Sequence, residues 1–330
     1  MKSLVLVAIL LVSVVFFDPV SNAHAATGAA IPTEGGAWPD PTITTVINPQ
    51  FNQPWFKAAY SSDVSLAISR WSESIIVYTD NYGSNYLRKL SFLTYIVGVN
   101  QSIPANPDIR VEFIQSFGPT PGLGLTTFQI SKGGLPGLFQ APTITQLAAY
   151  DPTNTTQLSD TDMTNIATHE FGHALGLGHA TTSLTDDGSF ELMFRSYGQA
   201  VGNSRNTLEA PSTLDMYALG VYVYAWLASS SNFSGTTGPA ATTISLPSGA
   251  SYSSVYPYPE QIQMLQNSIS QLKLDLLVVA VVAALLLALV LAFGILLSRK
   301  KPAPPQPSFG GSLSQHHPRA TLPYPRNRFL

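Results

Sequence analysis

The sequence predicts an α+β domain followed by one membrane-spanning helix. Three observations carry this reading. From residue 42 onward, the patterns run as strand, long helix, several strands and a second helix, an order that suits an α+β domain. That second helix carries His169-Glu170-Phe171-Gly172-His173, with two further residues at regular spacing beyond it. Residues 276–297 form an unbroken apolar run of 22 residues, and about 20 suffice to cross a hydrocarbon core.

In chain order, residues 1–25 read as a secretory signal peptide. Lys2 supplies the positive start, residues 4–17 the apolar core, and Ala23-His24-Ala25 a small-residue cleavage site. Residues 26–41, rich in Gly, Ala and Pro, lack periodicity and read as a lead-in segment. A strand follows over 42–47, where β-branched residues alternate. After Pro54 a helical pattern covers 55–78 and puts Val64, Ala67, Ile68, Trp71 and Ile75 on one stripe. Strand-like runs occupy 90–97, 109–117 and 125–130, separated by Gly, Pro and Asn turn signals. Ser159-Asp160-Thr161-Asp162 then offers capping oxygens and negative charge to a helix N-terminus, and Met163, Ile166 and Ala167 begin its buried face.

This helix leads into H-E-x-x-H-x-x-G-x-x-H over residues 169–179. His169 and His173 stand one turn apart on one face, a spacing that suits a zinc ion held by neutral ring nitrogens with Glu170 beside it as general base. Gly176 is free to adopt positive φ, ending the helix so that His179 can return as a third ligand. Three protein ligands leave a position for water, which is the catalytic rather than the structural arrangement. The other histidines, His24, His316 and His317, lie in the leader and near the C-terminus, so the middle of the chain holds no rival ligand of this type.

These residues resemble the zinc motif of the metzincin metallopeptidases, and the wider pattern is most similar to the matrixin branch, over residues 40–227. The resemblance implies a metzincin-like catalytic domain: a twisted mixed sheet with long helices, and a zinc cleft between a larger upper and a smaller lower subdomain. It also implies a Met-turn, a methionine lying beneath the zinc-binding imidazoles. Met193 takes that place in Glu191-Leu192-Met193-Phe194-Arg195-Ser196-Tyr197, and Tyr197 matches the tyrosine of the matrixin turn. The interval from His179 to Met193 is longer than matrixins show. Matrixins also hold a structural zinc, which lacks histidines here, and a cysteine latch, which a chain without cysteine cannot build. One catalytic Zn2+ is therefore the expected cofactor. Asp186-Asp187-Gly188 is either a Ca2+ site or a plain solvated turn.

Pro211-Ser212-Thr213 opens a capped helix running to residue 227, similar to the closing helix of matrixin domains, and bounds the metallopeptidase domain at 42–227. Residues 228–257 are rich in Ser, Thr, Gly and Pro and read as a linker or stalk. Ile262, Leu265, Ile269, Leu272 and Leu276 repeat at alternating spacings of three and four. Residues 258–275 are thus a short coiled-coil seam for self-association or an amphipathic lead into the next segment. Asp275 precedes the transmembrane run and Arg299-Lys300-Lys301 follows it, which puts the Pro-rich basic tail 298–330 in the cytoplasm and the N-terminal domain outside. Asn100, Asn154 and Asn232 head N-glycosylation sequons.

Residues 26–275 contain 18 acidic and 9 basic side chains, whereas residues 299–330 contain six basic and no acidic ones. An acidic folded part without a basic stripe speaks against nucleic acid as a partner. The expected function is that of a zinc-dependent endopeptidase acting on extracellular protein or peptide substrates, anchored in membrane lipid through 276–297. By the resemblance, substrate would lie extended along a sheet edge within 122–130. The alternative is a non-catalytic, zinc-containing adhesion or cell-envelope module on a membrane stalk. A purely structural site, however, has no need of Glu170.

Overall fold

Alternating β-branched and aromatic residues build the sheet that the rest of the domain leans on. The computed structural model describes residues 28–99, 102–118, 122–131, 137–196, 207–230, 233–235 and 238–298. In chain order the elements are β1 (Ala30–Pro32), β2 (Thr42–Asn48), α1 (Ala59–Tyr82), β3 (Ser91–Ile96), β4 (Ile109–Ile114), β5 (Gly124–Ile130), β6 (Phe139–Ala148), α2 (Asp160–Ala174), α3 (Thr213–Ala218), β7 (Thr243–Ser245) and α4 (Tyr258–Ser298). Five strands form a mixed sheet in the order β3-β2-β4-β6-β5, parallel except for β5, which runs antiparallel to β6 at one edge. Along β4 the alternate residues Ile109, Val111 and Phe113 are buried, as expected of a strand facing a core. The architecture is α+β.

Helices α1 and α2 pack against each other and carry that core. The stripe expected on α1 is buried at Val64, Ala67, Ile68, Trp71 and Ile75. Trp71 is fully covered, and its indole N–H donates to the Thr168 carbonyl of α2 at 2.8 Å. The helix begins four residues later than its periodicity suggests, at Ala59. Residues 51–57 spend their backbone in turns instead, with Gln53 N–H bonded to Gln50 O and Phe56 N–H to Gln53 O. This places the Phe56 ring 4.9 Å from that of Phe113. The helix stops at Gly83, whose φ of 96° a side chain would resist.

Three departures from the sequence reading concern elements. Strand β6, ten residues long, lies where no strand was expected. Pro142 hides it, yet the parallel pairing with β4 begins only at Thr143, so the missing N–H breaks no ladder bond there. The closing helix does not run evenly to 227: α3 ends at Ala218 and continues as a π-helical turn, Leu219–Val223, and a 3-10 turn, Ala225–Ala228. Residues 228–257 are not simply a linker. Strand β7 pairs antiparallel with β1, Tyr252 and Val255 are buried, and Val255 N–H donates to Pro211 O at 2.7 Å.

The chain divides into a folded unit ending at Leu265 and a second unit from Gln266. Within the folded unit the first turn of α4 is tied down. Arg70 of α1 forms an ion pair with Glu260 and donates to Glu209 O at 2.6 Å, and the Tyr258 hydroxyl donates to Asp80 at 2.8 Å. The described part of the second unit is the remainder of α4, a helix long and apolar enough to cross a membrane, with its described apolar side chains exposed. The expected signal peptide, most of the basic tail, Asn100, Tyr197 and Asn232 lie outside the described residues.

Candidate metal centre

Helix α2 starts at a reciprocal cap. Ser159 Oγ accepts from Asp162 N–H at 3.0 Å, and the Asp162 carboxylate accepts from Ser159 N–H at 3.2 Å. A fixed start keeps the fourth turn in register, so His169 and His173 project from one face. The helix ends at Ala174, and Gly176, at φ 105°, turns the chain back. Gly176 packs so closely on Gly36 that a Cβ would come within 2.5 Å of the Gly36 carbonyl oxygen. The returning loop is then held edge-on by the lead-in segment. Glu34 N–H donates to Gly176 O at 2.9 Å, Gly178 N–H to Pro32 O at 2.7 Å, and Thr181 N–H to Ala30 O at 2.9 Å. His179 sits in the middle of this pairing.

The three imidazoles meet. His173 Nε2 lies 3.1 Å from His169 Nε2 and 3.2 Å from His179 Nε2. Their other nitrogens decide what those Nε2 atoms are. His169 Nδ1 is 2.6 Å from Leu192 O and His173 Nδ1 is 2.7 Å from Leu177 O. A carbonyl can only accept, so each Nδ1 carries the hydrogen and each Nε2 presents a bare lone pair. Burial holds both rings neutral, with the His169 pKa lowered to about 4 and that of His173 well below its usual value. His179 is lowered too, by burial first and then by Arg195. Lone pairs this close repel one another unless a cation sits between them. The cluster can therefore hold a metal ion, and among the described residues no other group of three His, Cys, Asp or Glu side chains gathers closely enough to do so.

Glu170 lies beside the triad, buried against the edge strand β5. Its Oε2 accepts from the Thr126 hydroxyl at 2.7 Å. Burial pushes its pKa up to about 7, and the Thr126 hydrogen bonds pull the other way. Gly124 makes room for it, since a Cβ there would come within 2.6 Å of the Glu170 carboxyl carbon. Met193 is fully buried with its thioether against Gly172, in the same helical turn as both helix histidines. The chain is fixed there by Ala180 N–H donating to Met193 O at 2.9 Å. A cleft of about 390 Å³ opens over these groups, lined by Gly122, Gly124, His169, Glu170, His179 and Arg195 among others.

Other expectations resolve differently. At Asp186-Asp187-Gly188 the Asp187 carboxylate is taken up by the Thr185 hydroxyl, by Ser189 N–H at 3.0 Å and by Ser254 N–H at 3.3 Å. These bonds tie the Asp187 carboxylate to its own turn and to Ser254. Asn154 is exposed at φ 56°, its side-chain oxygen accepting from Gln115 at 3.3 Å. Sequence reasoning missed Thr126, for which no pattern exists. It also missed Gly124, which a glycine inside a strand could have flagged as a close approach. Glu34 was missed as well: half-buried, it has its carboxylate 3.8 Å from His173 Nδ1 and its pKa raised by burial. Compared with known proteins, the chain matches no protein-family model and no curated relative.

Proposed function

We propose that the chain is a zinc-dependent endopeptidase of the metzincin type, closest to the matrixin branch. Residues 276–297 would hold it in the cell membrane with the folded unit outside and the basic tail in the cytoplasm. The observation that supports this best is the convergence of the three imidazoles beside a buried carboxylate. Two nitrogens bound tetrahedrally to zinc at about 2.05 Å lie about 3.3–3.4 Å apart, close to the 3.1 and 3.2 Å between these rings. The Leu192 and Leu177 carbonyls fix ring tautomer and orientation, which is the outer support such ligands need.

When bound, zinc supplies a water of pKa about 7 and polarises a peptide carbonyl. Glu170, buried beside the three imidazoles, would accept a proton from the attacking water and return it to the leaving amine. Burial raises the basicity of this carboxylate in the metal-free chain, and Thr126 keeps it oriented. Among the described strands β5 is bonded only to β6, so its outer edge lies open beside Glu170. An extended peptide can add there as a further strand and bring its carbonyl over the cleft.

Replacing Glu170 with Gln should leave zinc content unchanged and lower peptide hydrolysis by about 100-fold or more. Wild-type activity should vanish in a chelator and return with zinc. The checks are elemental analysis and casein digestion by the full chain in detergent. Turnover that survives in either the variant or the chelator would defeat the reading.

A further inference from the structure

Arg195 is the one lysine or arginine among the described residues lining the cleft. Its backbone is well fixed. Phe194, just before it, donates its N–H to Glu191 O at 3.0 Å and bridges to Ala180, the residue after His179. Its guanidinium, in contrast, is exposed and makes no hydrogen bond or ion pair with any other described residue. The acids of the same cleft are committed elsewhere. Asp162 accepts from the Ser159 backbone and hydroxyl, Asp151 from Thr153, Thr155 and Thr156, and Glu170 from Thr126.

A guanidinium presents a planar fork of donors that matches a carboxylate with two parallel hydrogen bonds. Here that fork is unspent among the described residues, near His179, on a wall that a bound peptide would cover. We propose that the cleft selects peptides carrying a carboxylate close to the scissile bond, and that Arg195 binds it. The inference rests on the peptidase reading and names its substrate class. An exposed ion pair contributes little in open water. The contact gains strength because bound peptide excludes solvent from the cleft, and Arg195 has no partner among the described residues to give up.

The carboxylate can belong to an aspartate or glutamate side chain or to the end of a peptide, and the test separates the two. One set of peptides differs only in Glu, Gln or Lys at the positions flanking the cleaved bond, all with amidated ends. A second set is neutral, with free or amidated C-termini. With the full chain in detergent and zinc present, kcat/KM should favour a carboxylate peptide over its neutral partner by about tenfold. That ratio should fall towards one in Arg195→Gln, and in Arg195→Glu the Lys peptide should become preferred. A preference confined to free C-termini assigns Arg195 to the chain end. A wild type indifferent to both carboxylates, or a preference that persists in Arg195→Gln, overturns the inference. Failure to cleave any peptide overturns the peptidase reading and this inference with it.

Discussion

Glu170 owes its position to a residue without a side chain. Gly124 on the edge strand leaves the space that the Glu170 carboxyl fills, while Thr126, two residues on, holds it by a hydrogen bond of 2.7 Å. A methyl group at residue 124 must push the carboxylate away or open the strand. Gly176 is constrained for a different reason, a positive φ of 105° and a backbone contact with Gly36. The two glycines therefore predict opposite phenotypes. Gly124→Ala should keep bound zinc and lose hydrolysis by about 100-fold, the amount that a misplaced general base costs. Gly176→Ala should displace the loop that brings in His179 and lose zinc first. Stoichiometric zinc in both proteins by elemental analysis, or its loss from both, would count against this division of labour.

At the scale of elements, the Met193 loop is joined to α3 by two buried acids. Glu191 accepts from Met193 N–H at 3.1 Å and from the Tyr252 hydroxyl at 2.7 Å, while Asp215 caps α3 through Ser212 N–H at 2.8 Å. Burial raises both pKa values and the two carboxyls bond to each other, so the pair keeps a proton well above the usual carboxylate range. In the unfolded chain both acids ionise near pH 4. The folded state thus binds the extra proton, and stability falls as pH rises above that value. In mild acid the three depressed imidazoles of the metal-free protein work in the other direction, so the pair shows best above the ordinary histidine pKa. There the unfolding free energy of metal-free protein should drop with pH, by up to about 1.4 kcal/mol per pH unit, and its melting temperature should fall with it. Asp215→Asn, which keeps the cap but cannot ionise, should flatten that slope; an unchanged slope would sink the assignment. None of this pairing was legible in the sequence, because the two acids stand far apart in it and only burial makes them partners. The caps of α2 and α3 were legible, since Ser159-x-x-Asp162 and Ser212-x-x-Asp215 are local signals read within one turn.

At the scale of the molecule, the sequence placed the domain boundary too early. Composition gave good reason: residues 228–257 have the Ser, Thr, Gly and Pro content of a linker. What composition cannot show is that their backbone groups find partners on the domain. Strand β7 pairs with β1, and β1 on its other side pairs with the loop carrying His179, through Thr181 N–H to Ala30 O and Gly178 N–H to Pro32 O. The lead-in and the supposed stalk thus form a ladder whose innermost member is the loop carrying His179, one of the three imidazoles that could hold a metal ion. Further along, Tyr252 reaches Glu191 behind Met193, and Glu260 neutralises the buried Arg70. A chain covering residues 26–227 strips β1 of β7, exposes Thr33, and removes Glu260 from the buried Arg70, which keeps only Glu209 beside it. These losses act together on a domain whose whole stability is only about 5–15 kcal/mol. A chain covering residues 26–265 retains every one of these contacts. The shorter chain should therefore aggregate or bind zinc at least about tenfold more weakly, since His179 must be ordered at the moment of binding. The longer one should melt cooperatively and bind zinc as the full chain does. Equal zinc affinity for the two, measured by competition with a chromophoric chelator, would return residues 228–257 to the status of a linker and leave the His179 loop to stand on its own.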